Sequence, residues 1–188
     1  MTGLQVTVFG GSVPKAGEPA YAEAFLLGTL LGKGGYTVLT GGYMGTMEAV
    51  SRGANEAGTH VVGITCEEIE AWRDAQANAW VVEEIKLKTL HERLYALIER
   101  CDAAIALPGG VGTLAEIATM WNQMQTHAIA MRPLVLIARG WHAVFAHMFS
   151  QFDDYVPAAH RSLLHFAATS EQAYRVLQQL LEQRSPTS

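Results

Sequence analysis

Residues 103–116 of the chain read AAIALPGGVGTLAE: an apolar run of strand length, a glycine-rich turn, and the start of a helical pattern. A strand, turn and helix in this order direct backbone N–H groups and the positive end of a helix dipole at the turn. Gly109, Gly110 and Gly112 carry no Cβ, so a ligand can approach the backbone closely. Thr113 is predicted to cap the helix that follows or to contact a phosphate oxygen. The stretch therefore predicts an anion-binding turn.

Two further glycine-rich turns follow apolar strands, at residues 10–12 (GGS) and 40–48 (TGGYMGTME). On spacing alone, the first of these is either a plain turn or a phosphate or ribose contact. Strands alternate with helices along the chain, and the inner strands are continuous apolar runs, which is typical of a parallel sheet covered on both faces. We therefore predict an α/β fold of one domain over residues 1–188. Its form is a Rossmann-like, doubly wound, mainly parallel sheet with helices on both faces, and the turns lie at the carboxyl edge, where ligands bind.

Composition excludes several classes of protein. Of the 188 residues, 49% are hydrophobic and 16% are charged, which argues against a disordered chain. The net charge of −5 offers no basic surface for nucleic acid or an anionic membrane, and no apolar run approaches the ~20 residues that cross a bilayer. We expect neither partner. Cys66 and Cys101 are expected to be buried free thiols, and with no signal-peptide pattern at the N-terminus we predict a cytoplasmic protein.

Common cofactor and metal motifs are absent from the sequence. There is no Gly-x-x-x-x-Gly-Lys-Ser/Thr motif, and residues 110–112 give only the first half of the dinucleotide pattern Gly-x-Gly-x-x-Gly. The seven histidines lack metal-ligand spacing, and no lysine stands in a setting typical of a pyridoxal phosphate Schiff base. We therefore predict no metal and no cofactor.

One arginine and one glutamate stand at comparable places on two predicted helices. At ~100° per residue, Arg93 falls about 40° outside the apolar stripe of a predicted helix over residues 87–101. Glu116 falls about 40° outside the stripe of the helix after the 109–113 turn. Each alone has an ordinary explanation, as a surface ion pair or a complement to the helix dipole. Because both helices flank the same strand, we predict that the two side chains meet, half-buried, over a bound phosphate ester.

The run PGGVGTLAE at residues 108–116 resembles the PGGxGTxxE signature of the Lonely-guy (LOG) family, long described as "lysine decarboxylase-like". LHERL at residues 90–94 is similar to the family's MxxRK element, residues 40–48 to its GGGxxGxMG turn, and residues 8–12 to its first strand and turn. The resemblance covers residues 4–182. It implies a homodimeric, Rossmann-like phosphoribohydrolase. Such an enzyme cleaves a cytokinin riboside 5′-monophosphate, or AMP, to free base and ribose 5-phosphate.

Carried over by matching position, the resemblance implies that Arg93 and Glu116 are the catalytic pair. A carboxylate can stabilise the positive charge that develops on the ribose as the N-glycosidic bond breaks, or activate the attacking water. An arginine can hold the phosphate or a ribose hydroxyl. The resemblance further implies a set of residues that bind the phosphate or the rest of the nucleotide: Gly109, Gly110, Val111, Gly112, Thr113, Ser12, Gly41, Gly42 and Gly45.

Leu94 and Ala115 depart from the family pattern, because they stand where it has a lysine and a glutamate. They motivate an alternative hypothesis, a non-catalytic carrier or sensor that binds a nucleotide or a molybdenum cofactor. For the homodimer, the residues predicted to supply an apolar face are Met120, Trp121 and Met124, or the helix that begins at Trp141.

Overall fold

The computed structural model describes residues 3–184. Within them, strands alternate with helices. The strands are β1 (Gln5–Phe9), β2 (Thr37–Thr40), β3 (Val61–Cys66), β4 (Glu83–Leu87), β5 (Ala103–Ala106), β6 (Leu134–Ile137) and β7 (His165–Ala167). The helices are α1 (Pro19–Lys33), α2 (Thr46–Glu56), α3 (Glu67–Trp72), α4 (Leu90–Glu99), α5 (Val111–Gln125), α6 (Arg139–Gln151), α7 (Ala158–Arg161) and α8 (Ser170–Arg184), with a 3₁₀ turn at Asp153–Tyr155.

The strands form one parallel sheet in the order β4-β3-β2-β1-β5-β6-β7. From β1 the chain moves outward to β4, returns to place β5 beside β1, and then moves outward to β7. The winding direction therefore changes between β1 and β5, and open α/β sheets bind ligands at the carboxyl ends of the strands at such a point. The predicted Rossmann-like, doubly wound fold is confirmed, and every strand pair in residues 3–184 is parallel.

Helices cover both faces of the sheet. Alternate side chains of an inner strand point to opposite faces, and because those on both faces are apolar, each face has to be buried. On one face, α1, α2 and α8 pack against strand residues such as Val6 and Val38. On the other face, α4, α5 and α6 pack against strand residues such as Leu39 and Leu134. The two apolar layers hold the strand ends firmly, so the turns that follow the strands stand on a rigid scaffold.

Helix α4 begins at Leu90, three residues after its predicted start. Its N-cap is Thr89, whose Oγ1 accepts a hydrogen bond from the Glu92 N–H (3.1 Å), while the Glu92 carboxylate accepts one from the Thr89 N–H (3.0 Å). This reciprocal capping box starts the helix. Leu87 lies in β4 instead. On the helix as it forms, Arg93 belongs to the buried face, although the sequence placed it outside that face.

Helix α5 begins at Val111, so the expectation that Thr113 caps it is wrong. Gly110 is the N-cap residue, and no side chain caps the helix. Thr113 is instead buried within the first turn. The first N–H groups of α5 therefore lack a side-chain acceptor, which leaves them available to a ligand.

The first set of residues predicted to supply an apolar dimer face lies in the core. Met120, Trp121 and Met124 are buried on α5 against the sheet, and Trp141 of α6 is buried as well. The Trp121 indole N–H also donates a hydrogen bond to the carbonyl of His160 (2.7 Å). Met120, Trp121 and Met124 therefore do not supply such a face, because helical periodicity identifies an apolar stripe without identifying what covers it. The alternative, a face on the helix that begins at Trp141, stays a prediction.

Cys66 and Cys101 are buried and free, as predicted. Burial raises the pKa of the Cys101 thiol, which keeps it in the unreactive protonated form. None of the helices within residues 3–184 combines the length and the apolar character that crossing a bilayer requires.

Candidate active site

The three glycine-rich turns meet at the carboxyl edge of the sheet. A Cβ on Gly11 would lie 3.5 Å from the Cα of Gly109, so the turns after β1 and β5 are in contact. Thr46, where the turn after β2 ends, donates two hydrogen bonds to the Gly11 carbonyl, from its Oγ1 (3.0 Å) and from its backbone N–H (2.9 Å). These contacts join the three turns into one surface.

A cleft of about 350 Å³ opens over this surface. Its charged lining residues are Arg73, Arg93 and Glu116, so positive groups outnumber negative ones in a chain whose net charge is −5. Such a cleft attracts an anionic ligand. The remaining lining residues are small or apolar: Gly10, Gly11, Ser12, Val13, Met47, Ile69, Trp72, Leu90, Gly110, Gly112 and Thr113.

A second concavity, of about 420 Å³, lies beside β4, and no residue of the three turns lines it. There the Lys86 ammonium lies 2.9 Å from a carboxylate oxygen of Glu70 and 3.9 Å from one of Glu84. With Asp74 also in the lining, carboxylates outnumber cations there, so this concavity does not suit an anionic ligand. We therefore place the functional site in the cleft over the turns. Within residues 3–184, no three side chains of His, Cys, Asp or Glu are grouped to hold a metal ion.

The turn after β5 leaves its backbone open to the cleft. A Cβ at Gly110 or Gly112 would meet no heavy atom within 4 Å, and Val111 is 84% exposed. Gly109 differs, because a Cβ there would collide with Oγ1 of Thr113. Thr113 thus packs beneath the turn and also lines the cleft. The open backbone at Gly110 and Gly112 is what an approaching anion requires.

The strand end below this turn is fixed on both sides. The Trp141 indole N–H donates a hydrogen bond to the Leu107 carbonyl (3.0 Å), and the Leu107 N–H donates one to the Phe9 carbonyl (2.9 Å). These bonds attach the end of β5 to α6 and to β1, so the N-terminus of α5 has a fixed direction toward the cleft.

Arg93 is held in place at the floor of the cleft, where it is 6% exposed. Its Nε–H donates a hydrogen bond to the Ile64 carbonyl (2.7 Å), and its Nη2 donates one to the Gly41 carbonyl (3.0 Å). The guanidinium carbon also lies 5.5 Å from the centre of the buried Tyr43 ring, within range of a cation–π interaction. Two of its three nitrogens bind the protein, which leaves Nη1 for Glu116 and a ligand.

Glu116 is the carboxylate that faces this guanidinium. Arg93 Nη1 lies 3.9 Å from Glu116 Oε1, which suits an ion pair but is too long for a hydrogen bond. The Glu116 side chain is 12% exposed. Burial raises the pKa of Glu116 to about 7, although the charge of Arg93 acts to lower it. Near neutral pH the carboxyl group therefore occurs in both protonation states and can accept or donate a proton.

The turn after β2 is filled by the protein. Gly41, Gly42 and Gly45 are buried, and none of them lines the cleft. A Cβ at Gly41 would collide with Nη2 of Arg93, and one at Gly45, whose φ is +77°, would lie 2.5 Å from the Gly11 carbonyl oxygen. These glycines thus lie behind the cleft. Because they have no side chains, Arg93 and the turn after β1 can pack against them. Nucleotide contact by these three glycines stays a prediction.

Sequence reasoning missed part of the cleft wall. Ser12, a predicted contact, does line the cleft, and its Oγ accepts a hydrogen bond from Nη1 of Arg73 (3.2 Å). Arg73 follows α3, and Trp72, its last residue, is 79% exposed at the cleft mouth. A short acidic helix offers no periodic signal that would single out either residue. Leu90 also lines the cleft because α4 begins there, and the capping box before it is a sequence signal that could have found it.

Comparison with known proteins identifies relatives of the chain. The family model described as "Possible lysine decarboxylase" matches residues 47–177. A probable cytokinin riboside 5′-monophosphate phosphoribohydrolase of Oryza sativa subsp. japonica is 30% identical over 131 residues, which are 67% of this chain and 56% of that protein. A cytokinin riboside 5′-monophosphate phosphoribohydrolase of Rhodococcoides fascians is 32% identical over 139 residues, which are 72% of this chain and 68% of that protein. The chain thus spans little more than half the length of the rice relative.

Solved structures match over almost the whole chain. The molybdenum cofactor binding protein of Rippkaea orientalis superposes with a TM-score of 0.74 at 22% identity, covering 96% of this chain and 99% of that one. The molybdenum cofactor carrier protein of Chlamydomonas reinhardtii superposes with a TM-score of 0.70 at 25% identity, with the same coverage. These likenesses show a shared fold.

Proposed function

Since the chain belongs to the Lonely-guy (LOG) family, whose model is described as "Possible lysine decarboxylase", we propose that it hydrolyses a nucleoside 5′-monophosphate. The substrate is of the AMP or cytokinin riboside 5′-monophosphate type, and the products are the free base and ribose 5-phosphate. One observation carries the proposal. A carboxyl group with a pKa of about 7, on Glu116, lies 3.9 Å from the fixed guanidinium of Arg93, beside the uncapped N-terminus of α5.

The N-terminus of α5 would receive the 5′-phosphate. The Leu114 N–H already donates a hydrogen bond to the Gly110 carbonyl (3.0 Å), so the N–H groups available to an anion are those before it. The positive end of the α5 dipole adds to their attraction. A phosphate there would place the ribose toward Glu116, which lies further along the same helix.

Glu116 would carry the proton transfers. As the C1′–N bond breaks, positive charge develops on the ribose, and an ionised carboxylate stabilises it. The carboxylate takes a proton from water while the water oxygen bonds to C1′. The departing base keeps the bonding electron pair and takes that proton, so one water is consumed and the carboxylate is restored. A pKa of about 7 suits a group that accepts and then donates a proton near neutral pH.

The test is a product assay. Purified protein is incubated with AMP and, separately, with isopentenyl-AMP, and the free base and ribose 5-phosphate are quantified by chromatography. We expect release from at least one substrate, loss of release in Glu116→Ala, and unchanged release in Glu182→Ala, whose side chain is exposed on α8. Release from neither substrate, or an unaltered rate in Glu116→Ala, would overturn the proposal.

A second candidate function is a non-catalytic carrier of a phosphorylated cofactor. It is favoured by the match to the Chlamydomonas reinhardtii carrier over 96% of this chain. In addition, Leu94, which stands where the family signature has a lysine, packs against the apolar core. Mass spectrometry of any small molecule that co-purifies with the protein distinguishes the two functions. Saturable binding of AMP or of the molybdenum cofactor, without turnover, would favour the carrier.

We also propose that the protein forms a homodimer. Along α6 and the 3₁₀ turn, Val144, Met148, Phe152 and Tyr155 are exposed, and a second copy would cover such apolar side chains. Light scattering is expected to give twice the mass of the chain, and the mass of a single chain would contradict this.

A further inference from the structure

Arg73 is a second arginine of the cleft that the proposed reaction does not yet use. Its Nη1 donates a hydrogen bond to Oγ of Ser12 (3.2 Å). Its guanidinium carbon lies 5.5 Å from the centre of the Tyr43 ring and 5.7 Å from that of the Trp72 ring. The guanidinium therefore lies within cation–π range of two aromatic rings and is hydrogen-bonded to the loop after β1.

The hydrogen-bonding capacity of Arg73 is only partly used. Its Nε is buried and has no hydrogen-bond partner among residues 3–184. Three arginines in that part of the chain pair with carboxylates, namely Arg52, Arg93 and Arg161, whereas no ion pair found there includes Arg73. A buried donor without an acceptor and a charge without a counter-charge are both unfavourable. An anion in the cleft would satisfy both.

Ser12 adds a donor at the same place. Since its Oγ accepts the hydrogen bond from Arg73, its hydroxyl proton is free to point to a ligand. Ser12 lines the same cleft as Gly110 and Gly112, which puts it near the proposed phosphate position at the N-terminus of α5.

We propose that Arg73 and Ser12 form the second half of a phosphate clamp and bind the phosphoryl oxygens that the N-terminus of α5 does not reach. The ligand class is an organic monophosphate. This inference rests on the proposed function only in assuming that the cleft takes such a ligand, and it does not require turnover. Arg73 is thus a binding residue that determines affinity for the phosphate and contributes nothing to affinity for the base.

The test is calorimetric binding of ribose 5-phosphate and, separately, of adenosine to the wild type and to Arg73→Gln, Arg73→Lys and Arg175→Gln. Arg175 is an exposed residue of α8, so its variant is a matched control for the change in charge. We expect Arg73→Gln to weaken ribose 5-phosphate binding about 10- to 100-fold, the loss typical of one charge-assisted hydrogen-bonding group. Arg73→Lys should recover part of the lost affinity. Arg175→Gln should bind ribose 5-phosphate as the wild type does, and none of the substitutions should change the affinity for adenosine. Ser12→Ala, which is expected to fold normally, should weaken ribose 5-phosphate binding less than Arg73→Gln.

Three outcomes would reject the inference. It fails if Arg73→Gln binds ribose 5-phosphate as tightly as the wild type does, or loses adenosine and ribose 5-phosphate equally. It also fails if millimolar ribose 5-phosphate does not bind the wild type. A protein that binds ribose 5-phosphate through Arg73 but cleaves neither AMP nor isopentenyl-AMP would reject the proposed hydrolysis and leave the clamp standing.

Discussion

The turn after β5 and the turn after β2 share their composition and their place at one edge of the sheet, but the first is open and the second is filled. At the open turn, a Cβ on Gly110 or Gly112 would meet nothing within 4 Å. At the filled turn, a Cβ on Gly41 would collide with Arg93, and one on Gly45 would press on the turn after β1. Glycine thus leaves room for a ligand at one turn and for the protein itself at the other.

Both turns contribute to the same cleft. The open turn presents the N-terminus of α5, and the filled turn admits the Arg93 guanidinium and supplies the Gly41 carbonyl that holds it. Substitutions in the two turns should therefore differ in what they change. Ligand affinity should respond at the open turn, and folding stability at the filled one.

The largest effect is expected at the pair formed by Glu116, on the helix of the open turn, and Arg93, which packs against the filled turn from α4. Glu116→Gln keeps the shape of the side chain but cannot accept a proton, so kcat for AMP should fall about 10²- to 10⁴-fold. Affinity for ribose 5-phosphate, measured by calorimetry, should stay near that of the wild type. Steady-state kinetics with Glu182→Gln as the control checks this, and an unchanged kcat would show that the pair is not the reacting one.

The next effect is on stability as a function of pH. The pKa of Glu116 is raised from 4.5 to about 7 in the folded protein, so the stability it contributes is fully present below pH 4.5 and is lost as the pH rises through 7. Glu116→Gln removes the ionised form. It should be more stable than the wild type by up to about 3 kcal/mol near pH 8, and by less than about 1 kcal/mol near pH 5. Urea denaturation at both values measures this, and a difference that does not vary with pH would contradict it.

A smaller loss is expected when the filled turn is crowded. In Gly41→Ala, the new methyl group would occupy the place of Arg93 Nη2 and lie 2.6 Å from Sδ of Met47. We expect the free energy of unfolding to fall by about 1–3 kcal/mol and kcat to decrease, because Arg93 is displaced from its carbonyl partners. Gly140→Ala, a substitution into open space within α6, is the control. Normal stability in Gly41→Ala would break the contrast between the turns.

The smallest effect is expected at the open turn. Gly110 has φ of −95°, which other residues adopt readily, and nothing crowds its Cβ position. Gly110→Ala should therefore keep its free energy of unfolding within about 0.5 kcal/mol of the wild type. Its KM for AMP should rise about tenfold, because the methyl group stands where the ligand approaches, which corresponds to about 1.4 kcal/mol. Thermal unfolding tests the expected stability, and steady-state kinetics tests the expected rise in KM. A loss of stability equal to that in Gly41→Ala would remove the distinction between the open and the filled turn.

The open turn and the fold around it were predictable because their signals are local. An apolar strand, three glycines and a helical pattern are contiguous in residues 103–116, and the alternation of strands and helices sets the parallel sheet. The filled turn carries the same local signal, but its neighbour Arg93 lies 52 positions from Gly41 along the chain. A local sequence pattern cannot predict which distant residue packs into the space that a side chain at the glycine would fill.

Other parts of the site depend on equally distant contacts. Arg73 reaches the cleft because the ring of Tyr43 and the hydroxyl of Ser12 receive its guanidinium, and Ser12 is 61 positions away. The burial of Met120 and Trp121 likewise depends on the sheet and helices that cover them rather than on their own spacing. Sequence patterning located the turns and the Arg93–Glu116 pair, while tertiary packing decided which turn is open and which further arginine enters the cleft.

The most direct test of the account is the pH dependence of AMP cleavage by the wild-type protein from about pH 5.5 to about pH 8.5. If ionised Glu116 activates the water, kcat should rise with pH through an apparent pKa near 7 and then level off. A rate that does not change across this range, or no release of base at any pH within it from either AMP or isopentenyl-AMP, would contradict the account.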